Sequence, residues 1–133
     1  MKYLSQSELI TINVCLQQEA NQRASIRDAK ALDYIVRSAH QDVFGQQLYA
    51  NATDLAIFYF VKLIKKHVFN DGNKRTAYLS FLDCLALNHI TFKPDSAQRR
   101  QLAELAIHVA RVDGEPQSLW NEVKAIVQEM LIK

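Results

Sequence analysis

Apolar residues along this chain recur at helical intervals, with short polar breaks between the runs. "SQSELITINVCLQQEA" places Leu9, Ile10, Ile12, Asn13 and Leu16 on a loose stripe. Ser5 stands as N-cap and Glu8 follows three residues later, a capping box. "SIRDAKALDYIVRSA" predicts a second amphipathic helix opened by Ser25, with Asp28 at the box position and Ile26, Ala29, Leu32, Ile35 and Val36 on one face. "HQDVFGQQLYAN" breaks the period and contains Gly45, which reads as a loop or small hairpin. "TDLAIFYFVKLIKK" restarts a helix from Thr53 that is apolar on most sides, and "NKRTAYLSFLDCLALN" is apolar almost all round. Two such helices in succession belong at the centre of a bundle. After the connector "ITFKPD", "SAQRRQLAELAIHVAR" and "SLWNEVKAIVQEMLIK" are amphipathic helices, each expected to open at its serine. The fold class expected is all-α, in one domain over residues 1–133.

Composition narrows this picture only slightly. Among 133 residues there are 3 Gly and 2 Pro, too few turn formers for a many-stranded sheet. A formal net charge of +2 suits an anionic ligand, but it is far from the footprint of a dedicated nucleic-acid binder. Cys15 and Cys84 both fall in apolar helical runs without zinc-site spacing, so buried reduced thiols are expected. "MKYLSQSELI" has no apolar signal-like core, and no uncharged run is long enough to span a bilayer. The expected location is the cytoplasm.

The chemistry concentrates in "KKHVFNDGNKR", between the two most apolar helices. A helix beginning near Asn73 turns its free N–H groups and positive dipole end into this loop, which makes an anion site. Gly72 lets the backbone approach a phosphate, and Asn73 can cap the helix or donate an amide hydrogen. Lys74 and Arg75 put cations in a first turn, where they disfavour the isolated helix and make sense opposite an anion. Asp71 repels phosphate unless it holds Mg²⁺ between phosphate oxygens. His67 supplies a base for an attacking hydroxyl. Phe69 points the other way, into the core. Each residue has a plainer reading as well: His67 as a dipole-stabilised cap, Asp-Gly-Asn as turn chemistry, and Lys-Arg as solvated surface. The plainer readings do not account for the concentration.

The string "HVFNDGNKR" closely resembles the Fic/Doc signature H-x-F-x-[D/E]-G-N-[G/K]-R, and Lys74 with the following "TA" resembles its Doc (death-on-curing) toxin branch. "IRDAKALDYIVRSAHQDVFGQQLYAN" and the start "MKYLSQSELI" resemble the same branch, so the likeness covers nearly the whole chain. The resemblance implies a Fic-type helical bundle with two central buried helices joined by the signature loop and a small flap before the first of them. It implies an enzyme that modifies a Ser, Thr or Tyr hydroxyl of another protein using ATP and Mg²⁺. His67 would be the general base, Asp71 the metal ligand, and Gly72, Asn73, Lys74 and Arg75 the phosphate cradle. The flap of Phe44, Gly45, Gln46, Gln47, Leu48 and Tyr49 would align the target segment by strand addition.

Departures from the signature bear on which group moves. Fic proteins that attach a nucleotide usually carry Gly at Lys74 and a second Arg at Tyr78. The Doc toxin, with the same Lys, phosphorylates elongation factor Tu, although it has Ala at Gly72. Both changes weaken nucleotidyl geometry, so phosphoryl transfer is preferred over protein AMPylation. The inhibitory S/T-x-x-x-E-G/N helix of many relatives has its nearest match in "SLWNEV", which lacks the final small or amide residue. Trp120 and Val123 read there as packing, so inhibition is expected from a separate antitoxin protein. A non-catalytic binding module and a nucleic-acid contact through Lys62, Lys65, Lys66, Lys74 and Arg75 are the competing readings. Neither a membrane nor direct nucleic-acid binding is expected.

Overall fold

A computed structural model describes residues 1–43, 46–47 and 49–132. The order is α1 (Gln6–Glu19), α2 (Ala29–Ser38), the short strands β1 (Asp42–Val43) and β2 (Gln46–Gln47), α3 (Ala52–Lys66), α4 (Asn73–Leu87), α5 (Ser96–Arg111) and α6 (Gln117–Ile132). The expected all-α class holds, with the small hairpin as its only sheet among the described residues. The strands are antiparallel, with Asp42 opposite Gln47 and Val43 opposite Gln46. Phe44, Gly45 and Leu48 of the expected flap lie outside the described residues. No helix described is long and apolar enough to cross a membrane.

The helices begin where short polar side chains can accept their first N–H groups. Ser5 and Glu8 close the capping box of α1 as read from sequence. Elsewhere the caps differ from the expected ones. Asp28, not Ser25, caps α2 through the Ala31 N–H, and Asn51 starts α3 two residues before Thr53. Asp95, not Ser96, caps α5 and forms a capping box with Gln98. In α2 and α5 a carboxylate displaces a nearby serine, because negative charge is favoured at the positive end of the dipole. α6 begins at Gln117, one residue ahead of Ser118.

Helix α3 is the hub. Nine of its fifteen residues are buried, including Phe58, Tyr59 and Phe60, and α4 packs along it. Each such aromatic or aliphatic side chain contributes about 1.5–3 kcal/mol on burial. Helix α4 is less enclosed than its composition predicts. Only Thr76, Ala77, Ser80, Phe81, Cys84 and Leu85 are buried, one stripe rather than the whole circumference. The remaining side of α4 faces α1 and α5 incompletely, and this leaves its first turn open to solvent.

Candidate active site

The loop between α3 and α4 is held by its apolar residues and by a strap from the segment before α2. Val68 and Phe69 are buried, at 0% and 2% exposure. The N–H groups of Arg27 and Asp28 donate to the Val68 carbonyl at 2.7 and 3.0 Å. Asn70 N–H donates to the Ser25 carbonyl, and the Asn70 amide donates to Ser25 Oγ at 2.6 Å. Ile26 and Phe69 form an antiparallel bridge. Ser25 is therefore part of this strap instead of a helix cap, and Asn70 fixes the loop to it. Asn73 closes the loop from inside, donating to the Phe69 carbonyl at 2.8 Å and accepting the Phe69 N–H at 3.0 Å. One N–H and the oxygen of its side-chain amide are engaged there, and Asn73 also lines the cleft described below.

His67 ends α3 in the left-handed conformation, φ 47° and ψ 54°. That conformation costs a non-glycine residue about 1–2 kcal/mol, and the buried Val68–Phe69 pair and the Arg27 guanidinium on the His67 carbonyl hold it in place. The turn sends the imidazole out of the helical path, exposed and without a hydrogen bond among the described residues. Gly72 takes φ 78° as the N-cap of α4.

That N-cap sets α4 apart from the four helices α1, α2, α3 and α5. Side-chain oxygens of Ser5, Asp28, Asn51 and Asp95 cap α1, α2, α3 and α5, whereas no side chain caps α4. Its first N–H groups and dipole are left open, with exposed Lys74 and Arg75 in the first turn. Neither cation has an ion-pair partner among the described residues. Around this end lies a cleft of about 350 Å³ that His67, Asp71, Gly72, Lys74 and Arg75 line together. Ala110 of α5 forms its far wall. A second, almost wholly apolar cavity of about 290 Å³ shares Lys74 and Arg75 with it and continues past Tyr78 to Arg99, Ala106 and Ile107. A further cavity, about 440 Å³, lies away from the loop between Tyr49, α3 and α6, and its rim charges pair with one another as Lys62–Glu115 and Asp54–Lys124.

Among the described residues no three His, Cys, Asp or Glu side chains converge on a metal site. Asp71 is exposed; one of its oxygens, Oδ2, accepts from the Gln17 amide at 3.4 Å. A single carboxylate beside an anion cradle fits a hard divalent cation that brings phosphates and waters as its other ligands. It does not fit a fully protein-bound transition metal. Sequence reasoning placed Asn13 in a helical stripe and passed over Gln17. Both amides are buried and reach the loop. The signal was their four-residue spacing on the inward face of α1.

A helical fold in which a helix N-terminus without a side-chain cap opens into a cleft with a histidine and a carboxylate is suited to binding phosphate. A comparison with protein-family models matches residues 3–85 to the Fic/DOC family. The chain belongs to the Fic/DOC family, whose members are generally protein-modifying transferases that use a nucleoside triphosphate with Mg²⁺. No curated protein matches the chain in a sequence search. The family match ends within α4, so α5 and α6 lie beyond it.

The remaining departures from the sequence reading are in the thiols and the lysines. Cys84 is buried, and burial pushes its thiol up to about 12, but Cys15 is exposed. Lys62 pairs with Glu115 at 2.6 Å, Lys66 approaches the same carboxylate at 3.8 Å, and Lys65 donates to the Val112 carbonyl. The five cations considered as a nucleic-acid patch are thus split into a committed group and a free pair.

Proposed function

We propose that this protein is a toxin-type transferase that moves the terminal phosphoryl group of Mg-ATP onto a Ser or Thr hydroxyl of another protein. The observation that carries this reading is the uncapped N-terminus of α4, with Lys74 and Arg75 free beside His67 and Asp71 in one cleft. Phosphates would accept the open N–H groups of α4 and face both cations. Asp71 would hold Mg²⁺, which when bound offsets phosphate charge. His67 would take the hydroxyl proton as the new O–P bond forms at phosphorus and ADP leaves.

The apolar cavity beyond Lys74 and Arg75 favours phosphoryl over nucleotidyl transfer. A nucleoside lodged against Tyr78, Ala106 and Ile107 would extend its phosphates past the two cations, terminal phosphate toward His67. Tyr78 suits a base or ribose there, whereas the second arginine of nucleotide-attaching relatives would suit phosphates. Resemblance to the Doc branch supports a role in a toxin–antitoxin pair, with elongation factor Tu as a target and translation as the process blocked. Val123 of "SLWNEV" is fully buried in α6, which supports control by a separate antitoxin rather than an inhibitory helix of this chain.

Purified protein with cell lysate and Mg-ATP labelled at the alpha or the gamma phosphate tests this directly. Transfer from the gamma position alone is expected, and the His67→Ala variant should lose it by about 10²–10⁴-fold while folding normally. Label arriving from the alpha position would make the protein an AMP-transferring enzyme. Undiminished modification by His67→Ala would remove the histidine from the mechanism.

A further inference from the structure

Helix α1 carries two amides that no packing requirement explains. Asn13 and Gln17 are 1% and 5% exposed, on the face of α1 turned to α4. Leucine at either position would continue the stripe of Leu9 and Leu16. Instead the Asn13 amide donates to the Asp71 carbonyl at 3.0 Å and to Thr76 Oγ1 at 3.1 Å, and Thr76 is itself fully buried. Gln17 Nε2 donates to Asp71 Oδ2 at 3.4 Å and to Gln22 Oε1 at 3.3 Å. One amide fixes the backbone of Asp71 and the other orients its carboxylate.

The choice of neutral donors matters. An Arg or Lys at position 17 would pair with Asp71 and compete with a cation for its charge. A neutral amide orients the carboxylate and leaves its charge whole. The contact is long for a hydrogen bond, which suits an orienting partner that tightens on loading. Gly72 completes the device. A Cβ there would lie 2.9 Å from Gln17 Oε1 and 3.2 Å from Asn13 Nδ2, so only glycine leaves both amides in place.

We infer that Gln17 and Asn13 are positioning residues, holding Asp71 for the divalent cation of a nucleotide complex; this rests on the transferase reading above. Groups that orient a metal ligand from behind typically change metal affinity by about 10–100-fold when removed. Gln17→Leu and Gln17→Met each remove the amide and keep an apolar chain in its space.

The test is the affinity for Mn²⁺, followed by electron paramagnetic resonance in the presence of a non-hydrolysable ATP analogue, with melting temperature recorded alongside. Both Gln17 variants should melt like the parent and bind Mn²⁺ about tenfold more weakly, and excess Mn²⁺ should restore their activity. A purely structural role would not be repaired by metal. Parental Mn²⁺ affinity in the Gln17 variants, with weakened affinity in Asp71→Asn, would overturn the inference and leave the transferase reading standing. Parental affinity in Asp71→Asn would overturn the metal role of Asp71 itself, and the inference with it. Unfolding of both Gln17 variants would show the amide to be structural and overturn the inference alone.

Discussion

Two groups of cations flank the same loop and have opposite uses. Lys62, Lys65 and Lys66 stand at the C-terminal end of α3, while Lys74 and Arg75 stand in the first turn of α4. The first group is absorbed by the fold. Lys62 and Lys66 share Glu115 and lie over the Tyr34 ring at 5.6 and 5.4 Å, and Lys65 is held by the Val112 carbonyl. These charges also complement the negative end of the α3 dipole. Lys74 and Arg75 face the positive end of α4, have no ionic partner among the described residues, and line a cleft. Charge placed against its local dipole and left unpaired is costly for stability. It becomes reasonable only when an anion arrives. Position relative to a helix end, more than the number of lysines, separates structural charge from functional charge.

The largest effect should come from the free pair. Arg75→Ala removes a cation from the cradle, and loss of one such stabilising donor lowers turnover by about 10²–10³-fold. The same change should leave the melting temperature unchanged or slightly higher, since it relieves a charge that disfavours the first turn of α4. Kinetics and a thermal melt on one preparation check both halves. A variant that loses stability along with activity would place Arg75 with the structural lysines and dissolve the contrast.

Lys62→Ala should behave in the opposite way. Its side chain is 12% exposed and that of its partner Glu115 is 21% exposed, so the pair is partly withdrawn from water. Removing one member of a charged hydrogen bond costs about 2 kcal/mol of stability and leaves the other without its partner. Nucleotide affinity, measured by calorimetry, should stay at the parental value. A tenfold loss of affinity would mean that the cleft draws on the field of both groups.

These two groups could not be separated from sequence, where "KLIKK" and "NKR" look alike. The partner of the first, Glu115, is about fifty residues away in a connector that carries no visible signal. What was legible had local causes. The capping box at Ser5 lies within four residues, and Phe69 could be placed in the core because it stands between His67 and Asp71, whose polar side chains face the other way. The fold class followed from periodicity, and the site from one dense motif. What was missed needed helix phase or long-range pairing. Cys15 lies among apolar neighbours, yet Leu9, Asn13, Leu16 and Gln17 fix the inward face of α1 and turn Cys15 to solvent. Ser25 resembled a cap until Asn70, forty-five residues on, proved to hold its hydroxyl.

Glu115→Gln tests the contrast with the smallest perturbation, because it frees lysines without removing any. Lys62 and Lys66 would lose their ionic partner but keep the Tyr34 ring and a neutral acceptor. The expected destabilisation is about 1 kcal/mol or less, read as a small fall in melting temperature. The informative measurement is the number of nucleotides bound per chain by equilibrium dialysis. If unpaired positive charge were sufficient for a phosphate site, the variant would acquire a second one at the end of α3. It should not, because the groups exposed there are the carbonyls that end a helix, and their partial negative charge opposes a phosphate. At α4 the dipole, the open N–H groups and the cations all favour the same ligand. One nucleotide per chain in Glu115→Gln would show that helix polarity decides the site, and two would show that the lysine count does.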